Sequence, residues 1–298
     1  MDYNTVVIGG GVAGLTAAMY LARANVPCLI LESRFWGGQT AMLNKVNNYP
    51  AIKEASGFDI AQALYEQVKQ FNIDMKNELV VNVKPWRNHY KITTNKSSYV
   101  ANNIIIATGA KTTTLGLKEE KQFVGKGVSY CATCDGNFFK NMPVVVFGNG
   151  KSAVEDIKYL HNVASKVYWL VPTNNVSNNI LQEIKHLHNV EIKYSCEVLN
   201  LVGDSALQEV VIYHKKLNTT QTIKANALFV SLGRNPDLSW LEVDVKVNKN
   251  GYVLVDKNCQ TNHKGIFACG DITSRELKQI VTACSDGAIA STYIITHR

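Results

Sequence analysis

The sequence predicts an α/β protein of two Rossmann-like, three-layer dinucleotide-binding domains, one inserted in the other. Three observations predict it. A glycine loop in full strand–loop–helix–strand context opens the chain. A second such unit stands near the middle. The segments flanking that second unit share one chemistry. The size agrees, since 298 residues, 46% apolar and 18% charged, suit two medium domains with ordinary cores.

The first unit runs through "YNTVVIGG", "GGGVAG", "VAGLTAAMYLARAN" and "CLILE". Gly9, Gly11 and Gly14 stand at the spacing that permits a tight turn, close approach of a pyrophosphate and helix–strand packing. The helix N-terminus then faces the anion. Glu32 lies 23 residues after Gly9, where a carboxylate accepts hydrogen bonds from ribose hydroxyls.

The second unit is "MPVVVFGNGKSAVEDIKYLHNVASKVYWLV", with Gly148, Gly150 and Ala153 at the same spacing. Counting the same 23 residues lands on Val171, followed by Pro172, Thr173, Asn174 and Asn175. No carboxylate is there for a 2′-hydroxyl and no Arg for a 2′-phosphate. The loop has the backbone pattern without the residue that reads a nucleotide.

Around this unit, "NNIIIATGA" (102–110) and "KGIFACGDI" (264–272) are apolar strands running into Thr108-Gly109 and Gly270-Asp271. "LKQIVTACSDGAIASTYII" after them is helical. The expected first domain is therefore 1–113 plus 239–298, interrupted by an insert at 114–238. "KTTT" (111–114) and "GRNPD" (233–237) are short, polar connections of the kind hinges use.

The chain carries a formal charge of +7, of which the insert holds 13 basic and 11 acidic residues. There is no basic run, which argues against nucleic acid. A mild excess of this kind steers an acidic protein partner. No apolar run reaches the roughly 18–20 residues of a membrane span. "MDYNTVVIGG" enters a strand without a basic leader, so a cytoplasmic protein is expected. Seven scattered cysteines do not form a secreted disulfide framework.

Only Cys131 and Cys134, in "SYCATCDGNFF", are closely spaced. They suit a reversible disulfide. Half a zinc site is the other reading of a CxxC, but no second ligand pair stands at zinc spacing, and no metal is expected. Asp135 follows directly, either as a group that moves a proton or as a turn residue.

With "GGGVAG", "GGQ", "ATGA", "CATCDG", "GRNPD" and "GIFACGD" in this order, the whole chain resembles the low-molecular-weight thioredoxin reductases. The resemblance implies an FAD domain, an inserted NADPH-type domain and a homodimer. It implies that thioredoxin is the partner, that Cys134 faces the flavin, that Cys131 attacks the partner's disulfide and that Asp135 is the acid/base. By position, the FAD contacts it implies are Gly9, Gly11, Ala13, Gly14, Glu32, Gly38, Gln39, Asn48, Thr108, Gly270, Asp271, Gln279 and Ile280. Lys278 stands where the family usually has Arg.

The departures bear on the electron donor. The family grips NADPH with a His-Arg-Arg…Arg cluster after the second strand. Here those positions read Val171-Pro172-Thr173 and Ser177, and Lys151 replaces the family's usual Asp in the loop. Some relatives with degraded NADPH motifs are reduced by ferredoxin, so reduced ferredoxin, or a flavodoxin in its place, is the expected donor; the alternative is an NAD(P)H-dependent thioredoxin reductase or related disulfide reductase with an unusual nicotinamide site.

Overall fold

A computed structural model describes residues 2–43 and 45–297. The chain divides into two compact units, 1–111 with 235–298, and 112–234.

In the first unit, β1 (Tyr3–Ile8), α1 (Val12–Arg23) and β2 (Cys28–Glu32) form a parallel βαβ turn. α2 (Gly57–Lys69) leads to β3 (Asp74–Asn77), and a meander of β4 (Val80–Trp86), β5 (His89–Thr94) and β6 (Ser98–Ile106) follows. The sheet order is β3-β2-β1-β6-β5-β4. β6 has nine residues and serves two neighbours along one edge. Its first half pairs antiparallel with β5, and its second half pairs parallel with β17 (Ile266–Ala268) from the far end of the chain.

Side-chain alternation sets the layers. Val7, Ile30, Ile105 and Phe267 face α1 and the C-terminal helix α7 (Ile280–Thr296). Val6, Leu29, Ile104 and Ile266 face the opposite core, with Val83 and Ile92 of the meander and Val245 and Val253 of the C-terminal segment. Period two on a central strand means that both faces are apolar and both are covered. α1 and α7 approach closely because Gly287 carries no side chain; a Cβ there would lie 2.3 Å from the Ala13 carbonyl oxygen.

The second unit begins after the crossing strand β7 (Lys111–Thr112). It contains α3 (Glu120–Phe123), β8 (Val128–Ser129), α4 (Ala132–Asp135), β9 (Pro143–Phe147), α5 (Lys151–His161), β10 (Lys166–Leu170), α6 (Asn178–Ile184) and β11 (Val190–Lys193). An antiparallel three-stranded sheet of β12 (Cys196–Val202), β13 (Glu209–His214) and β14 (Thr219–Lys224) precedes β15 (Ala227–Val230). The parallel sheet β11-β10-β9-β15-β8 lies between two cores, one lined by α5 and α6 and the other by the antiparallel sheet. The return crossing is β16 (Arg234–Asn235), which pairs with β7.

That return lies a few residues before the expected start at 239. Leu238, Trp240 and Leu241 already pack in the first unit's core, and the Val83 N–H donates to the Trp240 carbonyl at 2.8 Å. Apolar burial, rather than the Gly/Pro-containing motif, sets the boundary. Among the described residues, no helix is long and apolar enough to cross a membrane.

Candidate active site

The first glycine loop is a cradle shaped by the absence of side chains. A Cβ on Gly9 would meet the Ala107 carbonyl oxygen at 2.4 Å, and one on Gly14 would meet the Gly9 carbonyl oxygen at 1.9 Å. Gly9 also has φ +110°, a backbone that favours glycine. Gly11 is the N-cap of α1 and supplies no side-chain cap, and nothing stands within 4 Å of where its Cβ would be. The first N–H groups of α1 thus open onto space shaped for an anion.

Several sequence-predicted residues gather at this loop. A Cβ on Gly38 would lie 3.0 Å from Gly11 Cα, and one on Gly270 3.0 Å from Ala13 Cβ. Gln39 reaches across to donate to the Ala110 carbonyl at 2.7 Å, beside the exposed Thr108. Asn48 Nδ2 donates to Gln279 Oε1 at 3.0 Å across 231 residues of sequence. Gln279 is the N-cap of α7, in a capping box with Thr282, so Ile280 is the first helical residue. Asp271 lends its backbone carbonyl to Lys278 Nζ at 3.0 Å. Lys278 also bonds the Thr273 carbonyl and lies 4.3 Å over the Tyr252 ring.

Glu32 ends β2 with its carboxylate turned to the loop. Oε2 accepts the Gly10 N–H at 2.7 Å and Oε1 accepts the Arg34 N–H at 2.6 Å. Two backbone donors hold the carboxylate at the loop edge, and each oxygen keeps acceptor capacity for a hydroxyl. Sequence reading missed Trp36, whose ring closes this side: a Cβ on Gly10 would meet it at 2.6 Å. A glycine loop, an uncapped helix and a fixed carboxylate together fit an adenine dinucleotide.

In the second unit, Cys131 and Cys134 are joined in a disulfide at the start of α4. The Cys131 carbonyl accepts the N–H groups of Cys134 and Asp135 at 3.2 and 3.1 Å, so one turn presents both sulfurs. Ser129 links the motif: its Oγ accepts the Cys131 N–H at 3.1 Å and donates to Asp135 Oδ2 at 2.6 Å. Burial raises the Asp135 carboxyl above the usual range, against the lowering effect of the Ser129 bond. A carboxyl that keeps its proton to higher pH, four residues from Cys131, is suited to move one when a dithiol forms.

Beneath the motif lies Asp156 of α5, which sequence reading passed over. It accepts from Ser231 Oγ and from the Ala132 backbone N–H, and burial pushes it up to about 6. Folding therefore favours its protonated form. The contribution of Asp156 to stability is fully present below the unfolded carboxyl range near 4 and is lost as pH rises through about 6, by at most about 3 kcal/mol. Asp156→Asn is expected to flatten this slope and to raise the thermal midpoint at pH 8 relative to the parent. Melting curves of the two proteins across pH check it.

The second glycine loop keeps its geometry. A Cβ on Gly148 would meet the Ser231 carbonyl oxygen at 2.3 Å, and Gly150 opens α5 without a side-chain cap. Trp169 Nε1 donates to the Gly148 carbonyl at 2.8 Å. Val171 is fully buried at the end of β10, while Thr173, Asn174, Asn175 and Ser177 are exposed and uncharged. Lys151 forms a surface pair with Glu155 at 3.4 Å.

Residues 3–287 match the pyridine nucleotide-disulphide oxidoreductase family. The chain is 32% identical over 293 residues to a thioredoxin reductase of Treponema pallidum, covering 97% of this chain and 95% of that one. It is 34% identical over 299 residues to one from Peptoclostridium acidaminophilum, covering 97% and 95%. The crystal structure of thioredoxin reductase from Streptococcus pyogenes superposes with a TM-score of 0.93 at 32% identity, covering 99% of this chain and 97% of that one. The cofactor of such reductases is FAD, an adenine dinucleotide of the kind the first cradle fits. By sequence and by fold, the chain belongs to the pyridine nucleotide-disulphide oxidoreductases, within the low-molecular-weight thioredoxin reductases.

Proposed function

We propose that this protein is an FAD-dependent thioredoxin reductase whose electrons come from reduced ferredoxin, or a flavodoxin, rather than from NADPH. The observation that carries the donor is the neutral, exposed stretch after β10, set beside an intact glycine loop and an intact Cys131–Cys134 disulfide. The homodimer implied by the resemblance, and the cytoplasmic location expected from the sequence, belong to the same reading.

When bound, FAD supplies the two electrons that open the Cys131–Cys134 disulfide. The Cys131 thiolate attacks one sulfur of the partner's disulfide, whose S–S bond breaks and whose leaving sulfur takes up a proton. Cys134 then attacks Cys131 Sγ, re-forming the internal disulfide and releasing the partner as a dithiol. Asp135 holds the proton that these exchanges take and return, and Ser129 fixes its carboxyl. Gly9, Gly11, Ala13, Gly14 and Gly38 shape the pyrophosphate cradle, and Glu32 takes the ribose. Gln39, Asn48, Thr108, Gly270, Asp271, Gln279 and Ile280 complete the FAD contacts.

The donor is tested by anaerobic titration of the purified protein with NADPH, NADH and reduced ferredoxin, followed by absorbance. Ferredoxin is expected to bleach the flavin stoichiometrically and the nicotinamides to do so slowly or not at all. Heat-released cofactor that proves to be FMN would refute the cofactor assignment. Asp135→Asn is expected to lower thioredoxin turnover by about a hundredfold, the lower part of the range for loss of a general acid/base. The loss should be smallest at acid pH, where protons are plentiful, and a pH–rate profile checks it.

A further inference from the structure

Five cysteines lie outside the Cys131–Cys134 disulfide. Two of them, Cys259 and Cys269, are brought together where the chain folds back. The Thr261 N–H donates to the Ile266 carbonyl at 2.9 Å and the Ala268 N–H to the Cys259 carbonyl at 3.0 Å. Both residues are fully buried, and both sulfurs reach the same residue, Asp286.

Two cysteines in an apolar core need no charge beside them. Here charge is delivered to one of the pair. Arg275 Nη2 stands 3.4 Å from Cys259 Sγ, and Arg275 Nε pairs with Asp286 Oδ1 at 2.7 Å. Cys259 Sγ is 3.7 Å from Asp286 Oδ1, while Cys269 Sγ donates to the Asp286 backbone carbonyl at 3.4 Å. Cys259 also holds a left-handed backbone, φ +61°, uncommon outside glycine. The Arg275 side chain is 37% exposed, so the group that touches the buried sulfur also touches solvent. The asymmetry is that of a nucleophile and its resolving partner. A hydrogen bond that Cys269 can give to the Cys259 thiolate, and after it Arg275, hold the Cys259 thiol below its ordinary value against its own burial and the Asp286 charge, and burial holds Cys269 above it.

We propose that Cys259 and Cys269 are a second redox-active dithiol, separate from Cys131–Cys134, that small hydroperoxides oxidise to a disulfide. The Cys259 thiolate attacks the terminal peroxide oxygen and the O–O bond breaks. The leaving alkoxide takes up the proton that Cys259 lost, and Cys259 becomes a sulfenic acid. Cys269 Sγ then attacks that sulfur, the S–O bond breaks, and hydroxide leaves as water with the Cys269 proton. Two thiols lose two electrons and two protons, and the peroxide becomes one alcohol and one water. Asp286 also accepts the Gly270 N–H at 3.1 Å, so the pair's state bears on the turn beside it.

Trypsin makes the test direct, because it cuts after Lys257, Lys264 and Arg275 and leaves one cysteine in each of peptides 258–264 and 265–275. The dithiothreitol-reduced holoprotein, desalted and treated with stoichiometric hydrogen peroxide, should yield these two peptides joined by a disulfide that dithiothreitol reverses. Arg275→Gln, read in peptide 265–278 because the cut after 275 is lost, should slow the cross-link about tenfold because the cation beside the thiolate is gone, and Arg275→Lys should slow it less. Cys269→Ser should leave a sulfenic acid at Cys259 that dimedone traps. Both peptides recovered as free thiols, at doses that already oxidise the partly exposed Cys284, would overturn the proposal. So would either cysteine joined to a different partner.

Discussion

Thioredoxin reduction is expected to fall by at least about a thousandfold in Cys134→Ser and in Cys131→Ser alike, on the scale that loss of a catalytic nucleophile costs. The two variants should then part in what they trap. With Cys134 replaced, Cys131 still attacks the partner's disulfide, but no second thiol remains to release it. A covalent complex with thioredoxin should accumulate. With Cys131 replaced, the attacking group is gone and no complex forms. FAD content should be unchanged in both, because the cysteines sit in the 112–234 unit and the nucleotide cradle in the other. Non-reducing electrophoresis of each variant mixed with thioredoxin reads the result. A complex formed by Cys131→Ser and not by Cys134→Ser would mean that the two sulfurs carry the opposite roles.

The fold was legible because its two glycine loops sit in strand–loop–helix context. Gly9 and Gly14 are fixed by close contacts within their own βαβ turn, so a short window of sequence contains the whole argument. The CxxC was legible for the same reason, since its disulfide closes one turn. What escaped is what long-range pairing assembles. Asn48 and Gln279 were reached only through the family resemblance, and their mutual hydrogen bond forms because β17 returns to β6 and brings the start of α7 to the first loop. Cys259, Arg275 and Asp286 come from a bend, a loop and a helix, and no spacing rule joins them. Asp286 did leave a trace, as an acid amid the small residues of "TACSDGAIA", but a buried carboxylate becomes expected only when its cation is known. Asp156 is concealed differently. Its sequence neighbours give no sign of the Ser231 hydroxyl and the Ala132 N–H that meet it, and the packing of α4 over α5 half-buries it.

Steady turnover is expected with reduced ferredoxin, and next to none with micromolar NADPH. A 2′-phosphate is held by charge-assisted bonds worth roughly 1.5–3 kcal/mol each, and the residues exposed after β10, Thr173, Asn174, Asn175 and Ser177, offer no charge. Losing three such bonds weakens NADPH by several orders of magnitude. No Lys or Arg follows Val171 before Lys185, so nothing nearby in the chain replaces them. Ferredoxin needs no such grip. A plant-type ferredoxin near −400 mV lies about 130 mV below thioredoxin, roughly 6 kcal/mol for the two electrons that two donor molecules bring. An acidic donor is drawn to a chain of net charge +7, most of it outside the insert. The ferredoxin rate should therefore fall steeply as salt screens that attraction. Returning cations to the exposed positions, as Thr173→Arg with Ser177→Arg, should raise NADPH affinity at least about tenfold per residue while leaving the ferredoxin rate in place. Efficient turnover of the parent with micromolar NADPH, and none with ferredoxin, would refute the assignment and require that other residues of this chain grip the 2′-phosphate.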